Sequence, residues 1–304
     1  MHRPRSALKT VTVVLISTVL VGACVAKVHG ATGAQRVHRN IATMGTAVAA
    51  PNAPQNSAAP AFDGLDTRIQ AAAAQAADNG AAISVLVLDR NTGRSISNGY
   101  NSAITTASVA KLFIADDLLY QAAAQHSQLS PDDRKALDLM LEASDDDAGE
   151  AFWSRDGGDD IVTRVASRYG LKSTGPGNDG RWWNTVTTPD DLARYYDMLL
   201  NGAGGLPRDQ ADLIVGDLSQ SASEGVDGYP QRFGIPDGLY AERVAVKQGW
   251  MCCIGDDWMH LSTGVIGPDR RYVMVVESLQ NTDDRTARNT ITAAVKTIFP
   301  TGRI

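Results

Sequence analysis

Basic charge, histidine and cysteine are all scarce in this chain, and each shortage closes off a class of function. Lysine and arginine number 28 against 34 aspartates and glutamates, for a net charge of -6 and a pI near 5.3. No cluster of basic and aromatic residues marks a nucleic-acid surface, so nucleic acid is not expected as a partner. Beyond residue 62 the only histidines are His126 and His260, with no spaced Cys/His set around them, and neither a metal nor another cofactor is expected. The apolar run Val11 to Gly22 falls short of a comfortable bilayer span. Glutamate is missing altogether between Glu150 and Glu224, an absence that gains meaning from the motifs below.

What remains is a chain of 304 residues, 43% apolar and 20% charged, able to bury a full core as one large domain or two closely packed ones. Its first residues have the form of a secretory signal: Arg3, Arg5 and Lys9 precede the short apolar run. That run ends Val21-Gly-Ala-Cys24, which resembles the bacterial lipobox and implies cleavage after residue 23 and acylation of Cys24. An ordinary signal peptide cut near Ala23 or Ala26 is the plainer alternative. Residues 24–61, rich in Ala, Gly, Asn, Gln and Pro without apolar period, read as a flexible tether. The expectation is an extracytoplasmic protein, a monomer, lipid-anchored to the outer face of the cell membrane.

Residues 62–304 read as the folded domain. A helix is predicted over Phe62 to Ala77, then a buried strand Ile83 to Asp89 turning at Asn91-Thr-Gly93 into Ser95 to Tyr100. Helical segments follow: Pro131 to Ala143 with a Ser130 cap, Asp159 to Tyr169, Pro189 to Asn201 with a Thr188 cap and Gly202 stop, and Pro207 to Leu218. Strands return at Val244 to Trp250, Met259 to Ile266 and Tyr272 to Leu279 as a meander, and Asp283 to Ile298 is a closing helix. This order implies an α+β fold: one five-stranded antiparallel sheet from 62–104 and 240–304 with flanking terminal helices, and an all-α subdomain, 105–239. Clefts favour such seams.

Ile104-Thr-Thr-Ala-Ser-Val-Ala-Lys-Leu-Phe-Ile-Ala-Asp-Asp-Leu-Leu119 is the stretch on which the rest turns. Thr105 or Thr106 can cap a helix here, and Val109, Leu112, Phe113, Leu118 and Leu119 leave little of it polar, so it is read as central and buried. Ser108 and Lys111 then share a face. A serine hydroxyl needs a base to become a nucleophile, and an amine one turn away serves when it is neutral. Burial and the positive helix end both disfavour the ammonium, while a nearby carboxylate would oppose them.

Ser144-Asp-Asp146 follows, and then Lys247-Gln-Gly249 on the first late strand. The order and placement of these motifs resemble the class A β-lactamase and penicillin-binding-protein superfamily, with its Ser-x-x-Lys, Ser-Asp-Asn and Lys-Thr-Gly signatures. The likeness covers Phe62 to Ile304 and is strongest to actinobacterial exported serine hydrolases with Lys-x-Gly-Trp. It implies Ser108 as acylated nucleophile, Lys111 as proton acceptor, Ser144 as relay beside Lys247, and the N–H groups of Ser108 and Trp250 as oxyanion hole. Gln248 and Gly249 would border the substrate.

The departures matter as much. Asp146 stands where the superfamily has an asparagine that donates to the substrate; an ionised aspartate cannot donate, and it could pair with Lys111 or Lys247. Gln248 replaces a hydroxyl residue. Class A enzymes deacylate through a glutamate in the loop between the second and third motifs, but the corresponding loop here, Gly175 to Asn184, offers only Asp179, as a base or as a turn residue of Asn-Asp-Gly. Trp182, Trp183 and Trp250 either line a narrow cleft or anchor the core. Arg181 either binds a substrate carboxylate or makes a structural salt bridge, and Asp116-Asp117 reads as a helix–loop pairing or a solvated face. Cys252 and Cys253, adjacent in an oxidising exterior, favour a vicinal disulfide over two buried thiols.

Two functions fit. One is an exported serine hydrolase transferring an acyl group from an envelope amide or ester, a small molecule or cell-wall peptide, with weak or no β-lactam turnover. The other is a binding lipoprotein that keeps the fold without the chemistry. A competent β-lactamase with an unforeseen base is a third, weaker reading.

Overall fold

The computed structural model describes residues 62–304; Cys24, the signal and the tether lie outside the described residues. Helix α1 (Leu65–Asp78) leads into β1 (Ala81–Asp89) and β2 (Arg94–Ser97). A short strand β3 (Ile104–Thr105) precedes a 3-10 turn, Ala107–Ala110, and helix α2 (Lys111–Ala124). Helices α3 (Pro131–Glu142), α4 (Asp146–Asp156) and α5 (Asp159–Tyr169) follow, then strand β4 (Val186–Thr187), α6 (Pro189–Asn201), α7 (Arg208–Ser219) and the single turn α8 (Ile235–Gly238). The chain finishes with β5 (Val244–Ile254), β6 (Asp257–Ile266), β7 (Tyr272–Gln280) and α9 (Asp284–Ile298).

The sheet order is β2-β1-β7-β6-β5, antiparallel throughout, so strands from both ends of the domain interleave and β5 forms one edge. Both faces are covered. Val85, Met274 and Val276 face α1 and α9, whereas Leu86, Val275 and Leu261 face the helical half. That double burial explains why the strands read as nearly continuous apolar runs rather than alternating ones. Arg68 of α1 donates through Nε to the Ile298 carbonyl of α9 at 2.7 Å, tying the two terminal helices together.

Several helix ends are set by side-chain caps, those of Ser130 and Thr188 as expected. Ser130 accepts from Asp133 N, Thr188 from Asp191 N and Asp283 from Thr286 N, each satisfying an N–H of a first helical turn. The central helix is different. Neither Thr105 nor Thr106 caps it: the Thr106 hydroxyl donates to the Thr185 carbonyl, and the chain enters α2 through the 3-10 turn that carries Ser108. The β3–β4 pair adds to this tie between the turn and the loop ending at Thr187. Helix α4 was not anticipated, because its buried Ala148, Phe152 and Trp153 are too few to mark a period among charged neighbours.

Asp116 and Asp117 are not solvated. Both are buried on α2: Asp117 binds Arg164 of α5 at 2.6 Å, and Asp116 accepts from Arg168 and from the hydroxyls of Tyr169 and Tyr195. Two acids on one helix thus meet two arginines on another, a helix–helix pairing that clamps α2 within the helical half.

Two features invite measurement. A Cβ on Gly249 would stand 2.5 Å from the Thr106 carbonyl oxygen, so β5 lies directly against the serine-bearing turn. Gly249→Ala should lower unfolding free energy by about 1–3 kcal/mol in urea titration; an unchanged midpoint would show that the contact yields freely. Glu277 on β7 is 5% exposed, and burial pushes its carboxyl up to about 7 despite a Ser84 hydrogen bond. Its folded value exceeds its unfolded one, so its ionisation costs stability increasingly as pH rises from the unfolded value through the folded one. Glu277→Gln should therefore be nearly neutral at about pH 4 and stabilising by about 2–3 kcal/mol at about pH 7.5; a gain independent of pH would contradict this.

Candidate active site

Period two along β5 distributes the third motif. Lys247 and Gly249 share the face that meets the helical half, and Gln248 points the other way. Gln248 is 1% exposed and donates through Nε2 to the carbonyls of Gln231 and Phe233 at 3.0 and 2.6 Å. Its side chain is thus a brace for that loop and does not border the cleft, which corrects the substrate-binding assignment. Trp250, on the same strand parity as Gln248, stacks on Tyr229 with ring centroids 4.5 Å apart and planes within 5°.

At the seam between sheet and helices four side chains form a chain of polar contacts. Lys111 Nζ donates to Ser108 Oγ at 3.1 Å, to Ser144 O at 2.7 Å and to Ser144 Oγ at 3.3 Å. From the other side Lys247 Nζ donates to Ser144 Oγ at 2.8 Å. Ser108, Lys111, Ser144 and Lys247 are all buried. Ala107 and Ser144 take left-handed backbone, φ 44° and 55°, unusual for residues with a Cβ. Such strain costs about 1–2 kcal/mol per residue and is often retained where it aims a functional group.

Asp146 begins α4 and places Oδ1 2.5 Å from Lys111 Nζ, so of its two candidate partners it takes Lys111. Burial pushes the Lys111 amine below its ordinary value, and Asp146 opposes the shift. Lys247 is pushed down further, by burial and then by the neighbouring charge of Lys111. Gly149, one turn along α4, makes room for this: a Cβ there would stand 3.1 Å from Lys111 Cε. The ring of Trp182 lies 4.6 Å from Lys111 Nζ.

Ser108 and Asp146 open into a cleft of about 490 Å³ walled by Trp182, Trp183, Trp250 and Trp258. Both readings of the tryptophans therefore hold in part: Trp182 is 3% exposed and core-packed, yet lines the cleft with Trp183 and Trp250. The structure adds Asp227, Tyr229, Met251 and Trp258, none of which the sequence had marked, and brings Cys252 to the same wall. Asp227 and Tyr229 lie in a segment without periodicity, where no pattern could flag them. Trp258 was findable in principle, since it sits two residues from His260, the strand partner of Trp250.

Arg181 is not a wall of this cleft; its guanidinium lies over Trp183 at 5.3 Å and 3.7 Å from Asp179, so it is the structural arginine of the loop. Asp179 accepts from Arg181 N and from Asn184 Nδ2 at 2.7 Å, as a turn residue does, and it too lies outside the lining. Cys252 and Cys253 are joined as a vicinal disulfide where β5 departs from regular pairing after Met251. His260 behind the cleft is held neutral, burial pulling it to about 4, and its Nε2 meets the Tyr229 hydroxyl at 2.7 Å. Among the described residues no group of His, Cys, Asp and Glu is arranged to hold a metal.

No protein-family model matches the sequence. Solved structures with the same architecture include a β-lactamase from Chitinophaga pinensis DSM 2588, TM-score 0.62 at 15% identity over 78% of this chain and 98% of that one. A mutant of PBP-A, described as an acyl-enzyme complex with penicillin G, has a TM-score of 0.63 at 18% identity, over 79% of this chain and 96% of that one. At such identities the likeness establishes a β-lactamase-like fold and no more. Sequence relatives are much nearer: "Putative lipoprotein LppW" of Mycobacterium tuberculosis H37Rv is 64% identical over 258 residues, covering 85% of this chain and 82% of the relative, and the protein of that name in Mycobacterium bovis matches equally. With a β-lactamase-like domain and that degree of identity over most of its length, this chain belongs to the LppW lipoprotein family.

Proposed function

We propose that this protein is an exported, lipid-anchored serine hydrolase that transfers an acyl group from an amide or ester of the cell envelope to Ser108 and then to water. The observation that carries the reading is the unbroken set of contacts Ser108–Lys111–Ser144–Lys247, closed within hydrogen-bond distance at the floor of an open cleft. Ser108 Oγ attacks the acyl carbon as its proton passes to Lys111. The N–H groups of Ser108 and Trp250 steady the developing oxyanion, each worth roughly 3 kcal/mol in comparable sites. Ser144, contacting both lysines, carries a proton to the departing amine or alcohol as the bond to it breaks. Hydrolysis of the acyl-enzyme is the slow half, because the loop from Gly175 to Asn184 brings no glutamate, and its Asp179 is engaged by Asn184.

A second reading, a binding lipoprotein without chemistry, draws on one observation. The Asp146 contact favours the ammonium form of Lys111, the form that cannot accept a proton. Burial nonetheless leaves that amine below its ordinary value, which favours the enzyme.

Intact-protein mass spectrometry after exposure to a fluorophosphonate separates the two. One adduct on the wild type and none on Ser108→Ala is expected; no adduct on either leaves the binding reading. A penicillin should give at most a stoichiometric burst with very slow turnover. Asp146→Asn should speed that burst about tenfold, by restoring a donor where a carboxylate now repels the substrate carbonyl. Multiple turnover without a burst would reveal an overlooked deacylating base. Anchoring is tested separately: a fatty-acid probe should label wild-type protein in cells and not Cys24→Ala, and equal labelling would place the anchor elsewhere.

A further inference from the structure

The walls of the cleft carry charge of one sign only. Asp146 and Asp227 both line it, and among the described residues no lysine or arginine does. The two buried lysines lie below: Lys111 is already matched to Asp146, and Lys247 is 1% exposed behind Ser144. Asp227 is exposed, accepts the Tyr229 N–H through Oδ1 at 2.9 Å, and forms no salt bridge among the described residues. Beside it the Tyr229–Trp250 stack and Trp258 form an aromatic wall. That stack is fixed from behind, where Tyr229 OH donates to Asp284 and the Arg288 guanidinium lies 5.4 Å from the Tyr229 ring centre.

Aromatic faces beside an unpaired carboxylate attract cations, and the preference grows as the site sheds water. A carboxylate-bearing acyl donor such as a penicillin would instead bring a second negative charge beside the unpaired Asp227. We propose that the cleft selects acyl donors carrying an ammonium group, held against the Tyr229–Trp250–Trp258 wall with Asp227 as its counter-charge. This rests on the serine-hydrolase reading and supplies its substrate class.

The test uses three thioesters of one acyl chain, those of thiocholine, 3,3-dimethylbutanethiol and 2-mercaptoethanesulfonate, each rate being taken relative to that ester's own rate with hydroxylamine, because the charge also alters the thiol as a leaving group. Acylation of Ser108 is followed by mass spectrometry on the full folded domain with its disulfide intact. The thiocholine ester should react about tenfold faster than its neutral isostere and faster still than the sulfonate. The ratio should fall in about 0.5 M sodium chloride, as expected for an exposed carboxylate. Asp227→Asn keeps the Oδ1 acceptor for Tyr229 N–H and should bring cation and neutral isostere within about twofold. Equal or faster reaction of the neutral or anionic ester overturns the proposal.

A second measurement separates it from the hydrolase reading. Phenyltrimethylammonium and benzenesulfonate are titrated into Ser108→Ala protein with tryptophan fluorescence as readout. Cation binding that Asp227→Asn weakens, without acylation of the wild type by any ester, sustains the cation site and sinks the hydrolase. Acylation by all three esters at one rate, with no cation binding, does the reverse.

Discussion

Lys111 is the point on which the rest of the molecule depends. It is an amine fully enclosed at the start of the central helix, and burial pushes its pKa down. Asp146 meets it at 2.5 Å and pulls the other way. The outcome of that opposition decides whether the serine beside it has a base. The surrounding fold is consistent with maintaining the contest: Gly149 leaves space for the lysine stem, the strained Ser144 backbone turns its carbonyl and hydroxyl onto the same nitrogen, and the Asp116–Arg168 and Asp117–Arg164 pairs hold α2 against α5.

The sheet contributes position. Because β5 is an edge strand, its outer side meets the serine-bearing turn instead of another strand, and only the lack of a side chain at Gly249 lets the two backbones approach so closely. One strand therefore delivers Lys247 to the polar floor, Trp250 to the aromatic wall and Gln248 to the loop that carries Tyr229 nearby. Gln248, where the resembled family has a hydroxyl residue, does not line the cleft: its amide braces the backbone at Gln231 and Phe233.

The domain's main elements were legible because they announce themselves locally. Proline after a Ser or Thr cap marks α3 and α6, Gly202 stops α6, and β-branched runs mark the central strands. Three motifs in order then brought Ser108, Lys111, Ser144 and Lys247 to one place, as the contacts among them require. What was not legible depends on tertiary partners. Thr106 gave up its capping role for the Thr185 carbonyl, and a single arginine, Arg181, lies over Trp183 instead of in the cleft. Asp227 and Tyr229 reach the cleft from an aperiodic loop whose course is set by Gln231, Gln248 and the Tyr229–Trp250 stack, none of which a one-dimensional pattern encodes.

The central claim, that burial prevails over Asp146 at Lys111, is tested most directly by the pH dependence of Ser108 phosphonylation, compared between wild type and Asp146→Asn. The account predicts a rate that rises through an apparent pKa below the ordinary lysine value of about 10.4, and a profile displaced to still lower pH when Asp146 loses its charge. A wild-type rate that climbs only at the ordinary lysine value, or an Asp146→Asn profile displaced upward, would contradict it.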